Sequence, residues 1–558
     1  MVDERLKYRL TIIIILAGAG TSLAVSPFWN YDPINLIKLI NLATFSFIAL
    51  ALVISGKSDN KSRASKAISI LSGAFVFWMI LTIFFSGAPI NQQIWGSFGR
   101  NTGLIAYVSL ISLMYSTSQI SSLNNYKKIL TSFLITSFIV EVYCIIQISG
   151  LDPVNWSLKQ TFATFGNVNF LSAFLGMSAT ALFALSLEKK IKVQLRLFYF
   201  VASFSQIAIA LSTDSIQGPM IFVAGVGIIL FLRLRYSKFF KLFAIPYLVI
   251  SLIGFTTTIF ALLNKGPLAK FVFQSSVIYR WDYMHAGWSM TTSHPFFGVG
   301  LDSYGDWYRQ LRGIISTTRT GPDRVANTAH NIFLDISSNG GFPLLFFYIL
   351  ILILAFASAL RNLIKTSEFN STFVAIFSVW CAYQFQSLIS INQIAVGVWG
   401  WIFTGILIGY SNRSDLNSMS KKLKNTKRKS EVNAISAKSV AMSSLFGLFG
   451  LLISIVPFKT DAQYKSALVR GDLNGMMQTI YQTGATSQQI SQVIGVAINN
   501  NYPQQAQEAT RVLINRFPKE FYGWKALYYL SSSSNEDRAK ARAKMIELDP
   551  FNQDIPKS

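Results

Sequence analysis

The chain has 558 residues, of which 51% are hydrophobic and only 13% are charged, and its mean hydropathy is +0.41. Soluble domains carry about 25% charged residues, so this composition excludes an ordinary soluble protein and indicates a chain that lies mostly in a membrane. The formal net charge of +24 would favour a nucleic-acid ligand in a soluble protein. Here the basic residues cluster between apolar runs, as membrane topology requires, and we expect no nucleic-acid partner.

The first apolar run and the two cysteines carry no targeting or redox signal. The run from Leu10 to Val25 is followed by Ser26-Pro27-Phe28, which is too bulky for a signal-peptide cleavage site. We therefore predict a retained first span. Cys144 and Cys381 lie inside apolar runs and are too few for a disulfide framework or a metal site.

Apolar runs near the length of about 20 residues that crosses a bilayer recur along the chain. They predict an all-α polytopic membrane protein with thirteen spans. The spans lie near residues 10–26, 34–55, 67–86, 103–118, 127–149, 168–187, 195–212, 217–233, 240–263, 341–360, 370–390, 394–411 and 439–457.

The distribution of positive charge predicts the orientation, because cytoplasmic loops are enriched in Lys and Arg. With the N-terminus inside, the cytoplasmic segments hold most of these residues, and the short outside segments hold only Arg100 and Lys159. The hydrophilic loop 264–340 and the C-terminal region 458–558 are then predicted to lie on the outer face.

The predicted domains are a membrane core over residues 1–412, a basic cytoplasmic linker over 413–438, the last span, and a C-terminal domain. In the region 458–558, Ala-rich helical stretches end at prolines about one tetratricopeptide period apart. This spacing predicts a tetratricopeptide-like (TPR-like) helical domain. Stacked helical repeats form concave binding surfaces, so the domain either recruits a protein acceptor or partner or is inert.

The loop 264–340 is where we expect chemistry, because it holds all three histidines. A neutral imidazole can accept a proton from a hydroxyl near neutral pH, and His330 is our candidate base. The alternative is that His330 caps the helix that begins near Asn331. We interpret His285 as part of a half-buried surface helix and His294 as part of a turn before Pro295.

Arginine side chains are the candidate anion-binding groups. Arg100, Arg280 and Arg324 are predicted to converge, because their forked donors match phosphate and pyrophosphate oxygens. We expect Arg280, Arg324 and His330 to line one cavity open to the outer leaflet. The alternative for Arg100 and Arg280 is that each only snorkels at a helix end. The other loop arginines are interpreted as solvated charges: Arg309, Arg312 and Arg319.

Polar, glycine-bearing patches at 98–103, 164–171 and 213–218 map to the same predicted outer face as the large loop. No cluster has metal-ligand spacing, and there is no Walker loop, dinucleotide fingerprint or Asp-x-Asp pair, so no cofactor or metal is expected. Charged residues are scarce at the centres of the spans, which argues against an ion-coupled carrier. Three acidic residues could pair, but their spacing does not indicate a cation: Asp302, Asp323 and Asp335.

Taken in order, these motifs resemble the O-antigen ligase and Wzy-type polymerase family of bacterial envelopes. The likeness covers roughly residues 10–410, and members often carry a TPR-like C-terminal region. Val168 departs from the pattern, since many members have proline there. The matching segments are Gly99–Gly103, Thr164–Phe170, Arg280, His294–Tyr304, Ala329–Leu334 and Asn339–Pro343.

The resemblance implies a membrane glycosyltransferase in the bacterial cytoplasmic membrane. Its donor would be a glycan on polyprenyl (undecaprenyl) pyrophosphate, attacked at the outer face by a hydroxyl of a glycan, lipid or protein acceptor. His330 would activate or orient the acceptor, while Arg280, Arg324 and Arg100 would hold the pyrophosphate and make a metal unnecessary. The predicted substrate-binding set also includes residues from the matching motifs and the outer-face patches: Asn167, Asp214, His294 and Asn331.

Several functions stay open on the sequence alone. Within the family, the chain could be a ligase, a polymerase or a protein glycosyltransferase. Outside it, an exporter of polysaccharide or lipid-linked sugar and a non-catalytic scaffold of an envelope glycan complex are the alternatives.

Overall fold

The computed structural model describes residues 4–56, 63–156, 159–273, 275–422 and 437–557. Within these residues the regular structure is helical and includes no β-strand. One 3-10 turn, Lys241–Phe243, precedes α10. The α-helices in chain order are α1 (Glu4–Leu23), α2 (Asn35–Ser55), α3 (Arg63–Phe85), α4 (Ile90–Trp95), α5 (Leu104–Ser118), α6 (Leu123–Ile148), α7 (Val168–Ser186), α8 (Val193–Ser212), α9 (Gln217–Arg235), α10 (Ala244–Leu262), α11 (Ala269–Val272), α12 (Ser275–Ser293), α13 (Tyr304–Leu311), α14 (Ile314–Thr320), α15 (Ile332–Lys365), α16 (Ser371–Ser387), α17 (Ile394–Lys422), α18 (Ala437–Arg470), α19 (Leu473–Ile480), α20 (Ser487–Asn499), α21 (Pro503–Arg516), α22 (Phe521–Tyr529) and α23 (Asn535–Leu548).

Eleven of the described helices are long and apolar enough to cross a membrane. The chain is therefore a polytopic helical membrane protein, as the sequence predicts. Two predicted spans, near 103–118 and 370–390, form the shorter helices α5 and α16. The count of thirteen and the orientation stay predictions.

The membrane core is built around α17, whose segment Ile394–Ser411 is buried throughout. Glycine lets neighbouring backbone approach it closely. A Cβ atom on Gly405 would lie only 2.4 Å from the carbonyl oxygen of Met114 in α5, so a larger residue would push α5 away. At the periphery, α10 is almost entirely uncovered, as expected of a helix that faces lipid.

Helix α15 enters the membrane core through a kink at Gly341, where φ is +77°. The kink permits a close approach, because a Cβ atom at Gly341 would collide with the carbonyl of Phe296. The indole Nε1 of Trp78 donates to the carbonyl of Gly340 at 3.0 Å. The first turns of α15, before the kink, thus belong to the loop region, and the predicted span near 341–360 begins at the kink.

The large loop folds into four helices, α11 to α14, with a small core of its own. That core packs Met290 of α12 against Tyr304 and Tyr308 of α13 and against Ala329. The phenol of Tyr304 donates to the backbone carbonyl of Tyr283 at 2.6 Å. The loop is therefore an ordered layer on the membrane core.

The last predicted span, 439–457, is only part of α18, which continues through Pro457 to Arg470. The predicted boundary at residue 458 thus falls inside a helix. The extension beyond Pro457 buries Asp461, Tyr464 and Ala467, and this tertiary packing keeps the helix intact past the proline. The predicted linker 413–438 overlaps the end of α17, and its residues 423–436 lie outside the described residues.

Helices α19 to α23 form the C-terminal domain. Thr486 and Ser534 begin α20 and α23 with capping boxes, and Pro503 lies in the first turn of α21. The Ala-rich helical stretches predicted to end at prolines occur as α21 and α23, which end shortly before Pro518 and Pro550. The assignment as TPR-like stays a prediction.

Candidate functional site

Arg100 is presented by a tight turn between α4 and α5. One carboxylate oxygen of Asp302 accepts hydrogen bonds from the backbone N–H of Ser97 at 2.8 Å and of Thr102 at 3.1 Å. The Asn35 side chain donates to the carbonyl of Gly99 at 3.1 Å. Arg100 is only 8% exposed, so the snorkelling alternative does not describe it.

His330 lies immediately before α15 in a left-handed backbone conformation, with φ at +52°. Its N–H donates to the hydroxyl of Thr328 at 3.1 Å. The cap of α15 is Asn331, whose side chain accepts from the N–H of Leu334 at 3.1 Å. The alternative that His330 caps this helix is therefore wrong, and its imidazole is left for other contacts.

The imidazole of His330 packs on the ring of Tyr283, with 5.1 Å between centroids. Burial, followed by the positive charges of Arg280 and Arg100, lowers the pKa of His330 to about 3. The structure thus brings Arg100, Arg280 and His330 together, although they come from separate parts of the chain. The imidazole is neutral in the absence of substrate.

Arg324 lies near the same group and contacts another aromatic ring of α12. Its guanidinium is 5.5 Å from the ring centroid of Tyr279, a cation–π arrangement. The side chain is exposed, and its charge acts on Tyr283 together with that of Arg280. Three arginines therefore surround the Tyr283–His330 pair, and their opening into one cavity stays a prediction.

Asp335, in the first turn of α15, is a site residue whose role the sequence analysis missed. One of its oxygens accepts from the N–H of Ala329 at 2.7 Å, directly before His330. Its other oxygen is buried and has no hydrogen-bond partner within the part of the chain that the structure describes, and the same is true of Nη1 of Arg100. A single acidic residue at a helix start is too common a signal to identify it from sequence.

The segments that carry Asn167 and Asp214 lie against each other. Asn167 is exposed and caps α7 by accepting from the N–H of Asn169 at 2.8 Å. Asp214 is exposed in a turn with φ at +58°. The hydroxyl of Ser215 donates to the Asn169 side chain at 2.8 Å, which joins the two segments. Their role in substrate binding stays a prediction.

The other two histidines lie apart from His330. His285 is exposed on α12. His294 packs edge-to-face on Trp307 of α13, with 4.5 Å between ring centroids. Burial, and then the nearby charge of Lys519, lowers the pKa of His294, which places it where the loop meets the C-terminal domain. Its predicted contact with substrate stays a prediction.

The interpretation of Arg309 and Arg312 as solvated charges is wrong. Arg312 is 1% exposed, and its Nη2 donates to both carboxylate oxygens of Asp549 at 2.8 and 2.7 Å. Arg309 pairs with the same carboxylate at 3.0 Å. The local sequence could not show this, because Asp549 lies 237 residues after Arg312. Arg319 does lie at the surface, paired with Asp282.

The buried pair also holds the segment that leads to His330. Nη1 of Arg312 donates to the carbonyl of Arg324 at 3.0 Å, and its Nη2 donates to the carbonyl of Pro322 at 3.1 Å. Lys519 lies 3.2 Å above the ring of Trp307 and adds a second contact between the C-terminal domain and α13. We call the three charged residues at this contact, Arg309, Arg312 and Asp549, the docking cluster.

A family model described as O-antigen ligase matches residues 197–349. Over these residues, about a quarter of the chain, the sequence is similar to the O-antigen ligase family. The match confirms the family that the motifs indicated, and it spans α12 to α14 with Arg280, Arg324, His330 and Asp335. A comparison with curated proteins finds no match.

The O-antigen ligase match supports ligase-type glycan transfer in envelope polysaccharide biosynthesis. Part of the group around His330 lies outside the matched residues. Arg100 is contributed by the turn before α5 and is tied to the matched segment by Asp302. The docking cluster uses Asp549, from the C-terminal domain.

Proposed function

We propose that the protein transfers a glycan from undecaprenyl pyrophosphate to an acceptor hydroxyl at the outer face of the cytoplasmic membrane. One observation carries the proposal: Arg100, Arg280 and His330 gather beside Tyr283, within and next to the O-antigen ligase segment. A multi-pass membrane protein with this arrangement can meet a donor whose lipid tail lies in the bilayer and whose pyrophosphate lies at its surface.

The arginines suit the pyrophosphate. A guanidinium presents paired N–H donors that match two phosphate oxygens at once. Burial lowers the pKa of Arg280, so its charge is only weakly screened by water and acts strongly on a bound anion. The unpartnered Nη1 of Arg100 is a buried donor that a phosphate oxygen would satisfy.

His330 acts differently before and after the donor binds. With a pKa of about 3, the free imidazole is a weak base but a good hydrogen-bond acceptor, so it orients the acceptor hydroxyl. A bound pyrophosphate offsets the charges of Arg280 and Arg100, which raises the pKa of His330 and makes it a stronger base. Donor binding thereby prepares the base for the reaction.

The transfer step follows from these roles. The acceptor oxygen forms a bond to the anomeric carbon of the donor sugar, and the bond from that carbon to the pyrophosphate oxygen breaks. The bonding electrons remain on the pyrophosphate, whose developing charge is stabilised by fixed arginines. The proton of the acceptor hydroxyl passes to His330 and then to water or the departing pyrophosphate. In this proposal fixed cations perform the electrostatic task for which many transferases use a metal.

A reconstituted assay tests the function. Purified full-length protein in lipid vesicles is supplied with undecaprenyl-pyrophosphate-linked glycan and a panel of glycan, lipid and protein acceptors. We expect free undecaprenyl pyrophosphate and one glycosylated acceptor to form together. Consumption of no donor with any acceptor, by protein that is folded and inserted, would contradict the proposal and favour an exporter or a scaffold.

A further inference from the structure

The turn that carries Arg100 also borders a pocket. It is an open pocket between this turn, the start of α2 and the C-terminal domain, and its empty space is about 510 Å³ when the solvent at its mouth is included. Asp32 and Asn101 line it from the membrane core, while Thr483 and Phe517 line it from the C-terminal domain. The pocket therefore exists only when the C-terminal domain is docked.

The lining combines aromatic rings with amide and hydroxyl groups. Three rings contribute, from Trp95, Phe98 and Phe517, and side-chain amides come from Asn91 and Asn101. No lysine or arginine lines the pocket among the described residues, and its charged groups are two aspartates. An anion is disfavoured here, whereas rings that cover C–H faces and amides that bond hydroxyls suit an uncharged sugar.

The two aspartates shape the pocket. Asp461 accepts from the backbone N–H groups of Tyr31 at 2.7 Å and Asp32 at 3.0 Å, and from the Gln489 side chain at 2.7 Å. Asp32 accepts from the backbone N–H groups at the start of α2. Their oxygens are largely occupied by these bonds, so ligand recognition falls to other groups.

Asn101 provides a buried hydrogen-bond acceptor that is available to a ligand. It is 3% exposed and lines the pocket, and its Oδ1 has no hydrogen-bond partner within the described ranges. Its Nδ2 is used in a bond to the carbonyl of Trp95 at 3.3 Å, so Oδ1 is the free acceptor. A buried acceptor without a partner is destabilising, and a ligand hydroxyl that donates to it would remove that cost.

The turn that contains Arg100 and Asn101 contributes one residue to the His330 group and one to the pocket. Asn101 directly follows Arg100, and the turn that holds both is fixed by Asp302. Gln92 lines the pocket and donates to the carbonyl of Asp302 at 3.1 Å. A sugar chain seated in the pocket would therefore lie next to the segment that presents Arg100.

We propose that this pocket binds an uncharged saccharide unit of a glycan substrate, away from the bond that reacts. The inference rests on the proposed function for the source of that glycan, which is either the acceptor or the donor. In this proposal, two sites bind differently charged parts of the substrates: the arginines bind the pyrophosphate, and the pocket binds neutral sugar. The C-terminal domain would then be part of a glycan site.

Binding and kinetics of full-length protein test the proposal. Binding is measured on an array of neutral and anionic bacterial oligosaccharides. Thr483→Trp places a large side chain in the pocket from an exposed position, and Gln488→Trp is the matched control on an exposed neighbour outside it. Asn101→Gly removes the free acceptor and tolerates the local φ of +53°.

We expect neutral oligosaccharides to bind wild type and the Gln488→Trp control equally, and to lose binding in Thr483→Trp. Asn101→Gly should weaken binding by about tenfold, the worth of one neutral hydrogen bond. In the transfer assay, Thr483→Trp should raise the KM of only one substrate, and that substrate identifies the source of the glycan. Wild type that binds no neutral glycan, or binding that Thr483→Trp leaves unchanged, would overturn the proposal.

The two proposals can fail separately. If transfer proceeds normally in Thr483→Trp, with unchanged KM for both substrates, the proposed saccharide site is wrong and the proposed transferase function is unaffected. If neutral glycans bind and Thr483→Trp abolishes that binding, but the protein shows no transfer activity, the saccharide site is supported and the proposed reaction is wrong.

Discussion

His330 occupies a left-handed backbone conformation that non-glycine residues seldom adopt, although Asn, Asp and His do so more often than the rest. Three local contacts maintain it: the hydroxyl of Thr328 bonds its N–H, Asp335 bonds the N–H of Ala329, and Asn331 starts α15. Such conformations cost free energy and persist where the surroundings enforce them. The imidazole is thereby held against Tyr283 and the arginines.

The lowered pKa of His330 predicts an unusual pH dependence. The value of kcat/KM reports the free enzyme, in which His330 stays neutral down to a pH of about 3. We expect no loss of kcat/KM for the donor near the ordinary histidine pKa of 6.5. At saturating donor, the bound pyrophosphate raises the pKa, so the acid limb of kcat should lie at higher pH than that of kcat/KM.

The measurement is a pair of pH–rate profiles, one at low and one at saturating donor. The His285→Asn and His294→Asn variants serve as controls for the other two histidines. Asp335→Asn is a third control, because burial raises the pKa of Asp335 to about 7. A loss of kcat/KM with a midpoint near 6.5 that persists in all three variants would contradict the assignment of His330.

Substitution of Arg100 or Arg280 should selectively weaken pyrophosphate binding. Each charge-assisted contact is worth about 1.5–3 kcal/mol, so Arg100→Ala or Arg280→Ala should weaken binding of undecaprenyl pyrophosphate by about 10- to 100-fold. Arg319→Ala, which removes a surface arginine paired with Asp282, is the control. Binding to protein in vesicles of neutral lipid gives the affinities, and equal affinities for all four proteins would refute the role of the arginines.

Among helices and turns, the docking cluster links the C-terminal domain to the loop. Asp549 pairs with both Arg309 and Arg312, and Arg312 in turn donates to the carbonyl of Arg324. Removing one member of a buried ion pair costs about 3–5 kcal/mol, because the remaining charge is left unpaired. The position of Arg324 therefore depends on a residue close to the end of the chain.

Asp549→Asn should loosen this link. We expect faster hydrogen exchange over residues 321–330 and a fall in transfer of about tenfold or more, as expected when reacting groups lose their alignment. Asp554→Asn, a nearby exposed substitution, should change neither quantity. Exchange over residues 321–330 that is unaffected by Asp549→Asn would show that the cluster does not position the loop.

Asp302 has the corresponding role for the turn that carries Arg100. Asp302→Ala removes the acceptor for two backbone N–H groups, so Arg100 should lose its fixed position. We expect the KM for the donor to rise by about tenfold, the worth of one positioned charge-assisted contact. Asp323→Ala, in the exposed part of the loop, is the control, and an unchanged KM in Asp302→Ala would contradict this role.

The sequence predicts elements better than it predicts contacts between them. Apolar length locates the membrane helices, and the motifs indicate Arg280 and His330. The continuation of α18 past Pro457 was missed, because it depends on burial of Asp461 and Tyr464 against distant segments. Asp302, Asp335 and Asp549 were missed for the same reason, since their partners are backbone groups or arginines that only the fold brings near.

For the whole molecule, the charge pattern predicts that the C-terminal domain and the His330 group face outward. Single cysteines test this through a membrane-impermeant maleimide applied to spheroplasts. We expect Lys540→Cys to react at once and Lys189→Cys to react only after permeabilisation, since both positions are exposed. Wild type controls for Cys144 and Cys381, and the reverse pattern would overturn the orientation.

The C-terminal domain binds the rest of the molecule at two places. It contacts α13 through the docking cluster and Lys519, and it contacts the segment after α1 through Gln492, whose side chain donates to the hydroxyl of Tyr31. Both contacts border segments that present arginines of the proposed site. The domain is thus a structural part of that site. The sequence alone indicated a domain that recruits a partner or is inert, and it did not indicate this structural role.

The most direct test of the central claim is single-turnover transfer by reconstituted protein, measured both with and without EDTA. Wild type and His330→Ala are compared with undecaprenyl-pyrophosphate-linked glycan bound and the best acceptor added. We expect wild type to release undecaprenyl pyrophosphate at the same rate with and without EDTA. We expect His330→Ala to bind the donor normally but to release undecaprenyl pyrophosphate at least about a hundredfold more slowly, because it lacks the general base. Equal release by both proteins, or release by wild type that stops in EDTA, would contradict the claim that His330 and the arginines perform the transfer.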